Sequence, residues 1–303
     1  MNVQRLLPIL RCLHCGEGVE SRGQTLQCRG CGALYPVVND IPVLLQRDDE
    51  EKVWEGYFDR LGRKTGDRET ANSYFSRRNF LFVRKHLLKL VGKVSGVSVL
   101  DVGCGTGHFS QGLAKGNFLV GVDISLAMAG CALKKGLAVA QSSGRRLPFA
   151  AGTFALVIAN NVIQSFKHSR PLILELVRVT KPGGRIILSA TNGQNISLKF
   201  FRLVERKKYR HLGLHSADGL RRALQSTGSA VQSALFLHYP IGKVRMGPGN
   251  RVFSALDKLL SSTVALEAVK NASAEASLHL GIARMGGAAK GLPARPERGG
   301  PLS

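Results

Sequence analysis

The chain has 303 residues, 44% hydrophobic and 21% charged, enough for one full α/β domain, a small appendage and a buried core. No apolar run approaches the roughly 18 residues of a membrane helix, and Leu6-Leu7-Pro8-Ile9-Leu10 before Arg11 is too short and broken for a secretory signal, so a cytoplasmic protein without a membrane span is expected. Lys and Arg number 43 against 20 acids, a formal charge of +23, and such a field draws polyanions, which keeps RNA open as a partner.

Residues 1–46 read as a compact cysteine-marked unit that is not itself basic, with five Arg and no Lys against six acids through residue 50. Cys12-Leu13-His14-Cys15 and Cys28-Arg29-Gly30-Cys31 form two C-x2-C pairs twelve residues apart. Each pair aims two sulfurs at one point, and Gly16, Gly30 and Gly32 supply the permissive backbone of such turns. Four thiolates close a tetrahedral shell, so Cys12, Cys15, Cys28 and Cys31 are expected to hold a structural Zn2+ in a ribbon. Cys104 and Cys131 lie outside it and receive no catalytic role.

The next stretch, 47–94, reads as an acidic spacer (Asp48-Asp49-Glu50-Glu51) followed by helices, with Phe80, Val83, Leu87, Leu88 and Val91 at spacings of three and four. Positive charge gathers over 77–93, which holds no acid, and again at 199–222. From 95 to 285 strand and helix signals alternate. Strands are predicted at 97–102, 118–122, 137–141, 154–160, 185–190, 231–239 and 278–285, and helices at 108–115 and 126–135, among others. Such alternation implies a parallel-rich sheet covered on both faces. Insertions fall at 199–214 and 243–276, the second with a helix over 252–260. The Gly/Pro/Arg-rich segment 286–303 reads as a disordered tail.

The sharpest motif is Val99-Leu100-Asp101-Val102-Gly103-Cys104-Gly105-Thr106-Gly107-His108-Phe109. An apolar strand runs into alternate glycines, which let the backbone approach a bound nucleoside closely. A dinucleotide fingerprint, G-x-G-x-x-G, would need glycine at 108, where His stands, and has no use for an acid at the strand end. Asp101 can face a cationic amino group, and Asp123, twenty residues past Gly103, can accept from both hydroxyls of a ribose.

Four further landmarks follow in order: "VGVDIS" ending at 125, "LPF" at 147–149, "TFALVIANNVI" at 153–163 and "RVTKPGGRIILS" at 178–189. Together these motifs resemble class I S-adenosylmethionine-dependent methyltransferases, in particular those similar to the ubiquinone/menaquinone-biosynthesis group, over residues 55–285. The resemblance implies a Rossmann-like α/β sheet with helices on both faces, preceded here by the four-cysteine zinc ribbon. It also implies S-adenosylmethionine as cofactor. Carried over position by position, it puts Asp101, Gly103, Gly105 and Gly107 on the methionine and ribose, Asp123 on the ribose and Ile124 on the adenine face. Ser143, Gly144 and Leu147 fall at the adenine edge, and Asn160 beneath the cofactor near the methyl group. Tyr57 would reach the methionine carboxylate from the preceding helix. Two positions depart from the family pattern: Ser143 and Ala155 stand where Asp is usual. Serine accepts without charge assistance, a difference of about 1.4 kcal/mol or tenfold in affinity. A catalytically degenerate zinc-ribbon binding module is therefore one alternative reading. "YPVVNDIPVLL", just after the last ribbon cysteine, resembles the zinc domain of the small tRNA-methyltransferase activator proteins over residues 10–45.

Methyl transfer from a sulfonium is an in-line displacement dominated by positioning, and a base is needed only where the acceptor must lose a proton. His168, in "QSFKHS" after the fourth strand, is the candidate base, with Asn161 and Gln164 as polar contacts to the acceptor. No N-P-P-Y and no Pro-Cys motif marks a nucleobase chemistry. A small or lipid-like acceptor is expected, with an amphipathic lid at 199–214; an rRNA or tRNA acceptor is the alternative.

Overall fold

The computed structural model describes residues 1–46, 48–69, 77–204, 213–238, 242–246 and 263–272. Helix α1 (Asn2–Leu6) leads into an antiparallel sheet of β1 (Val19–Arg22), β2 (Thr25–Cys28), β3 (Leu34–Val38) and β4 (Ile41–Pro42), in that order. The last hairpin turns on Asn39 and Asp40, both left-handed (φ 52° and 63°), a two-residue turn that Asn and Asp tolerate better than other side chains.

Helices α2 (Asp49–Thr65) and α3 (Arg77–Val91) precede the main sheet. Its elements are β5 (Ser98–Val102), β6 (Phe118–Asp123), α4 (Leu126–Leu133), β7 (Ala138–Gln141), β8 (Phe154–Asn160), α5 (Arg170–Val179), β9 (Thr180–Thr191), α6 (Ile196–Val204), α7 (Ala217–Gln225), β10 (Ser229–His238), β11 (Gly242–Met246) and β12 (Thr263–Lys270). The eight strands run β11-β10-β12-β9-β8-β5-β6-β7. β7, β6, β5, β8 and β9 are parallel, and β12, β10 and β11 join antiparallel. Strand order reverses beside β5, and the C-terminal ends of β5 and β8 open the crevice where such sheets bind ligands.

Several boundaries differ from the sequence-based expectation. The acidic run is no spacer but the first turn of α2: the Asp48 carboxylate accepts from the Glu51 amide while Glu51 accepts from the Asp48 amide, a capping box. The helix expected over 108–115 shrinks to a single tight turn at Gln111–Ala114, because Gly107, Gly112 and Gly116 interrupt it. Arg185–Ala190 lengthens into β9, whose pairing with β8 shifts between Phe154 and Leu156 to accommodate Lys181–Gly184. The antiparallel strand beside β9 is Thr263–Lys270, inside the stretch expected to be an insertion; "TVALEAVK" carries the β-branched content a strand needs. The strand expected at 278–285, the helix at 252–260 and the tail 286–303 lie outside the described residues, as do residues 205–212 of the expected lid. No described helix is long and apolar enough to cross a membrane.

The cysteine-bearing sheet is built onto the main one. Val43 pairs parallel with Gln141 and the Leu44 amide donates to the Gln141 carbonyl at 3.0 Å, so the chain after β4 covers the exposed edge of β7. The Asn2 side chain completes that edge, donating to the Val139 carbonyl and accepting from the Val139 amide, both at 2.8 Å. Leu6, Leu10, Leu26 and Leu44 share one buried core with Val120, Ala138, Phe149 and Phe154.

Candidate active site

Valine-rich β5 and β6 end in two buried acids. Asp101 is 1% exposed and its Oδ2 has no hydrogen-bond partner among the described residues. Burial pushes this carboxyl up to about 7 against the Ser110 hydroxyl, which lowers it, and the nearby charge of Asp123 adds to the rise. Asp123 accepts from the Gly105 amide (2.8 Å) and the Ser125 amide (2.9 Å); burial still raises it to about 6 against those two bonds. Each carboxylate oxygen of Asp123 keeps a lone pair for a further donor. A buried, half-satisfied acid pair is unfavourable in isolation and matches a ligand bringing a cation and hydroxyls.

The turn between them requires glycine. Gly103 has φ 68°, and a Cβ there would lie 2.2 Å from Val162 Cγ2. Gly107, at φ 80°, backs onto Ala132 of α4, where a Cβ would meet the Ala132 Cα at 3.0 Å. The cleft above this turn takes Asp101, Gly103, Gly105, Asp123, Ile124, Gly144, Asn160 and Asn161 from the residues expected at the site.

Other expected residues stand elsewhere. Gly107 sets the turn from behind the cleft wall. Leu147 is in the core, its amide on Glu175 (2.7 Å) and its carbonyl on Arg178 (2.8 Å), so it fixes the loop from behind. The Ser143 hydroxyl turns away from the cleft to the Glu51 carboxylate. Tyr57 is half-exposed and outside the cleft wall; its helical neighbours Trp54 and Phe58, stacked at 5.7 Å, face inward instead. His168 is exposed and does not line the cleft. The histidine that matters to this loop is His215, whose buried Nε2–H donates to the carbonyls of Ile163 (3.0 Å) and Phe166 (3.2 Å) and whose pKa burial lowers. No sequence motif marks it, because its role is to hold backbone carbonyls 49 and 52 residues away.

The floor carries amides. Asn160 Oδ1 accepts from the Ser189 hydroxyl (2.7 Å) and from the Asn161 side chain (3.3 Å). Asn161, left-handed at φ 55°, and Gln164, 5% exposed, each keep a side-chain carbonyl oxygen without a partner among the described residues. Apolar walls from Trp54, Phe58, Phe80, Val83, Phe109 and Phe166 surround them. α2 and α3 thus supply four of these six apolar wall residues, which the sequence alone did not mark, although Trp54 and Phe58 at i and i+4 flank Tyr57.

In the cysteine cluster, the four Sγ atoms lie within 4.8 Å of one another. The Cys12–Cys31 and Cys15–Cys28 sulfurs are 3.6 and 3.3 Å apart. Those separations are far beyond a disulfide and near the roughly 3.8 Å edge of a tetrahedron with Zn–S of about 2.3 Å. Amides of His14 and Gly30 donate to the first sulfur of each pair at 3.3 Å, and the Tyr35 hydroxyl sits 3.1 Å from Cys12 Sγ, contacts that favour thiolates. The residues present fit the ion.

The fold is the Rossmann-like one of class I S-adenosylmethionine-dependent methyltransferases. Residues 100–188 match the sequence family described as "Methyltransferase domain". The demethylmenaquinone methyltransferase of Lactococcus lactis subsp. lactis is 28% identical over 155 residues, 48% of this chain and 60% of the relative. The chain spans about 56–62% of the length of the first curated relatives it matches. Among solved structures, the magnesium protoporphyrin IX methyltransferase of Synechocystis PCC 6803, with bound SAH, shares the fold at TM-score 0.54, with 19% identity over 74% of this chain and 100% of that one. A chain from the complex of a Haloferax volcanii methyltransferase activator with a methyltransferase does so at TM-score 0.51, with 17% identity over 75% of this chain and 99% of that one.

Proposed function

We propose that this protein transfers the methyl group of S-adenosylmethionine to a small, largely apolar acceptor that carries a hydroxyl or amino donor. The observation that carries the reading is the unpartnered, buried Asp101 Oδ2 beside a glycine turn and a second buried acid, a combination suited to a nucleoside bearing an ammonium group. When bound, the cofactor supplies an activated methyl group and leaves as a neutral thioether. The chain's own contribution is position: Asp101 holds the ammonium, Asp123 the ribose, and the aromatic walls exclude water. Asn161 Oδ1 and Gln164 Oε1 accept from the acceptor's O–H or N–H and turn its lone pair toward the methyl group, and the proton that the methylated atom sheds passes to solvent. Quinone, acyl-carrier and porphyrin methylation by proteins of related sequence or fold supports a small-molecule acceptor here.

The four cysteines would hold one structural Zn2+ that fastens residues 1–46 to the edge of the main sheet. RNA is the second reading, favoured by the +23 charge and by exposed Arg77, Arg78, Lys85 and Lys93. The test is transfer of labelled methyl from S-adenosylmethionine into fractionated cell extract. Label in the small-molecule fraction supports the proposal, label in RNA supports the alternative, and no label in any fraction leaves the binding-module reading.

A further inference from the structure

We propose that the exposed face of α6 and the loop beside it dock this protein on an anionic lipid surface, a peripheral contact that goes beyond methyl transfer. In α6, Ile196, Lys199, Phe200 and Leu203 fall at i, i+3, i+4 and i+7, one stripe of the helix. Its three apolar side chains are 57%, 61% and 66% exposed. Apolar groups held together in water gain nothing there, and a contiguous patch of them marks a contact site. The start of α6 is anchored by other groups. Asn195, which is buried, accepts from the Leu198 amide (2.8 Å) through Oδ1 and from the Lys199 amide (3.0 Å) through its carbonyl. Asn192 Oδ1 takes the Gln194 amide (3.1 Å).

Backbone contacts tie this stripe to the rim of the cleft. The Gly193 amide donates to the His215 carbonyl (3.0 Å), the Gly213 amide donates to the Gln164 carbonyl (2.7 Å), and His215 holds Ile163 and Phe166. Glycine permits the approach: a Cβ on Gly193 would stand 2.9 Å from Leu214 Cβ, and one on Gly213 would stand 2.2 Å from the Phe166 carbonyl oxygen. Leu214 itself is exposed. Gln164, Ser165 and Phe166 line the cleft, and Lys167, His168 and Arg170 just beyond them are exposed.

Charge selects the occupant. Residues 163–170, 192–204 and 213–216 contain four Lys and Arg and no Asp or Glu. Glu50, which accepts from the Lys167 amide (3.3 Å), is paired with Arg145 (2.5 Å). An apolar stripe flanked by cations has the character of an interfacial helix, whose apolar side chains enter the acyl boundary while Lys and Arg meet anionic headgroups. RNA would engage the cations and leave Ile196, Phe200 and Leu203 in water, so the apolar content favours lipid. At nine residues α6 is far too short to span a bilayer and would lie in its surface. Docking in this way sets the rim at Gln164–Phe166 against lipid, where an apolar acceptor concentrates; that consequence, unlike the docking, rests on the proposed function.

Cosedimentation of the full chain with lipid vesicles, in the absence of cofactor, tests the docking, so its failure is distinct from failure of the methyltransferase reading. Vesicles of phosphatidylglycerol and phosphatidylcholine in equal parts are expected to bind at least about tenfold more tightly than phosphatidylcholine alone at about 0.1 M salt. The double variant Ile196→Gln, Leu203→Gln is expected to weaken that binding at least about tenfold with an unchanged thermal midpoint, since both side chains are exposed. The double variant Lys167→Glu, Lys199→Glu is expected to abolish the preference for anionic vesicles. Wild-type binding by the apolar variant, or a preference for anionic vesicles that survives the charge reversals, overturns the proposal. Wild type that ignores vesicles and binds a short RNA overturns it in favour of nucleic acid. Wild type that ignores vesicles and forms a dimer broken by the apolar substitutions overturns it in favour of a second copy of the chain.

Discussion

Replacing Asp101 by Asn keeps the shape of the β5 end and removes its charge, with opposite consequences for binding and stability. In the ligand-free protein the carboxyl is fully buried, unpaired at Oδ2 and pushed up to about 7 from 3.8. That difference corresponds to about 4 kcal/mol of unfavourable burial when the group is ionised, an upper bound. The sign follows from proton counting: the folded state binds the proton more tightly than the unfolded chain, so wild-type stability rises as pH falls from 8 through 7 towards 4. Asp101→Asn lacks this component and is expected to be the more stable protein at pH 8. Binding moves the other way. A charge-assisted hydrogen bond to the ligand's ammonium is worth about 1.5–3 kcal/mol, so the variant is expected to bind S-adenosylhomocysteine about 10- to 150-fold more weakly. In wild type, affinity should also fall by up to about tenfold per pH unit below 7 as Asp101 takes up a proton, with Asp123 joining near 6. Calorimetry at pH 6, 7 and 8 in two buffers of different ionisation enthalpy reads both affinity and proton release. Equal affinity and an unchanged pH profile in Asp101→Asn would refute the assignment of this carboxylate to the ligand.

Other predictions concern the frame around the site. Gly103→Ala places a Cβ 2.2 Å from Val162 Cγ2 in a left-handed backbone, and is expected to cost about 1–3 kcal/mol in denaturant unfolding and at least tenfold in S-adenosylhomocysteine affinity. Adding Val162→Ala should recover part of both losses; no recovery would mean that φ rather than the clash dominates. Mass spectrometry under native conditions is expected to find one zinc per chain. Chelating it should lower both the thermal midpoint and cofactor affinity, because Arg146 donates to the Leu13 carbonyl (2.6 Å) and the Arg11 amide to the Pro148 carbonyl (2.9 Å), tying the first knuckle to the loop beside the cleft. The double variant Asn161→Ala, Gln164→Ala should leave S-adenosylhomocysteine affinity within about threefold and slow labelled methyl transfer at least about tenfold. His168→Ala, on an exposed loop residue, should leave that transfer rate within about twofold.

What the sequence made legible was local. The glycine turn, its flanking acids and the two cysteine pairs each lie within a short stretch, where spacing alone dictates backbone shape or ligand geometry. Position relative to the cleft was harder to read. Tyr57 was expected at the ligand, but an α-helix turns about 100° per residue, and the face carrying Glu51, Trp54 and Phe58 is the one that packs inward. Ser143 was expected at the adenine edge, but its hydroxyl bonds Glu51, 92 residues away, a partner found only once α2 is folded against the loop. His215 and the docking of Asn2 on β7 escaped for the same reason, since both work through backbone groups that no side-chain pattern reports. The acidic run misled by composition: four acids suggest a solvated linker, yet Asp48 and Glu51 at N-cap and N3 are a helix start.

The most direct measurement for the central assignment is a crystal structure of the protein with S-adenosylhomocysteine. The ligand's amino nitrogen is expected within about 3 Å of Asp101 Oδ2, with both ribose hydroxyls on Asp123. Ligand density away from the turn at Gly103–Gly107, or an amino group with no contact to Asp101, would contradict it.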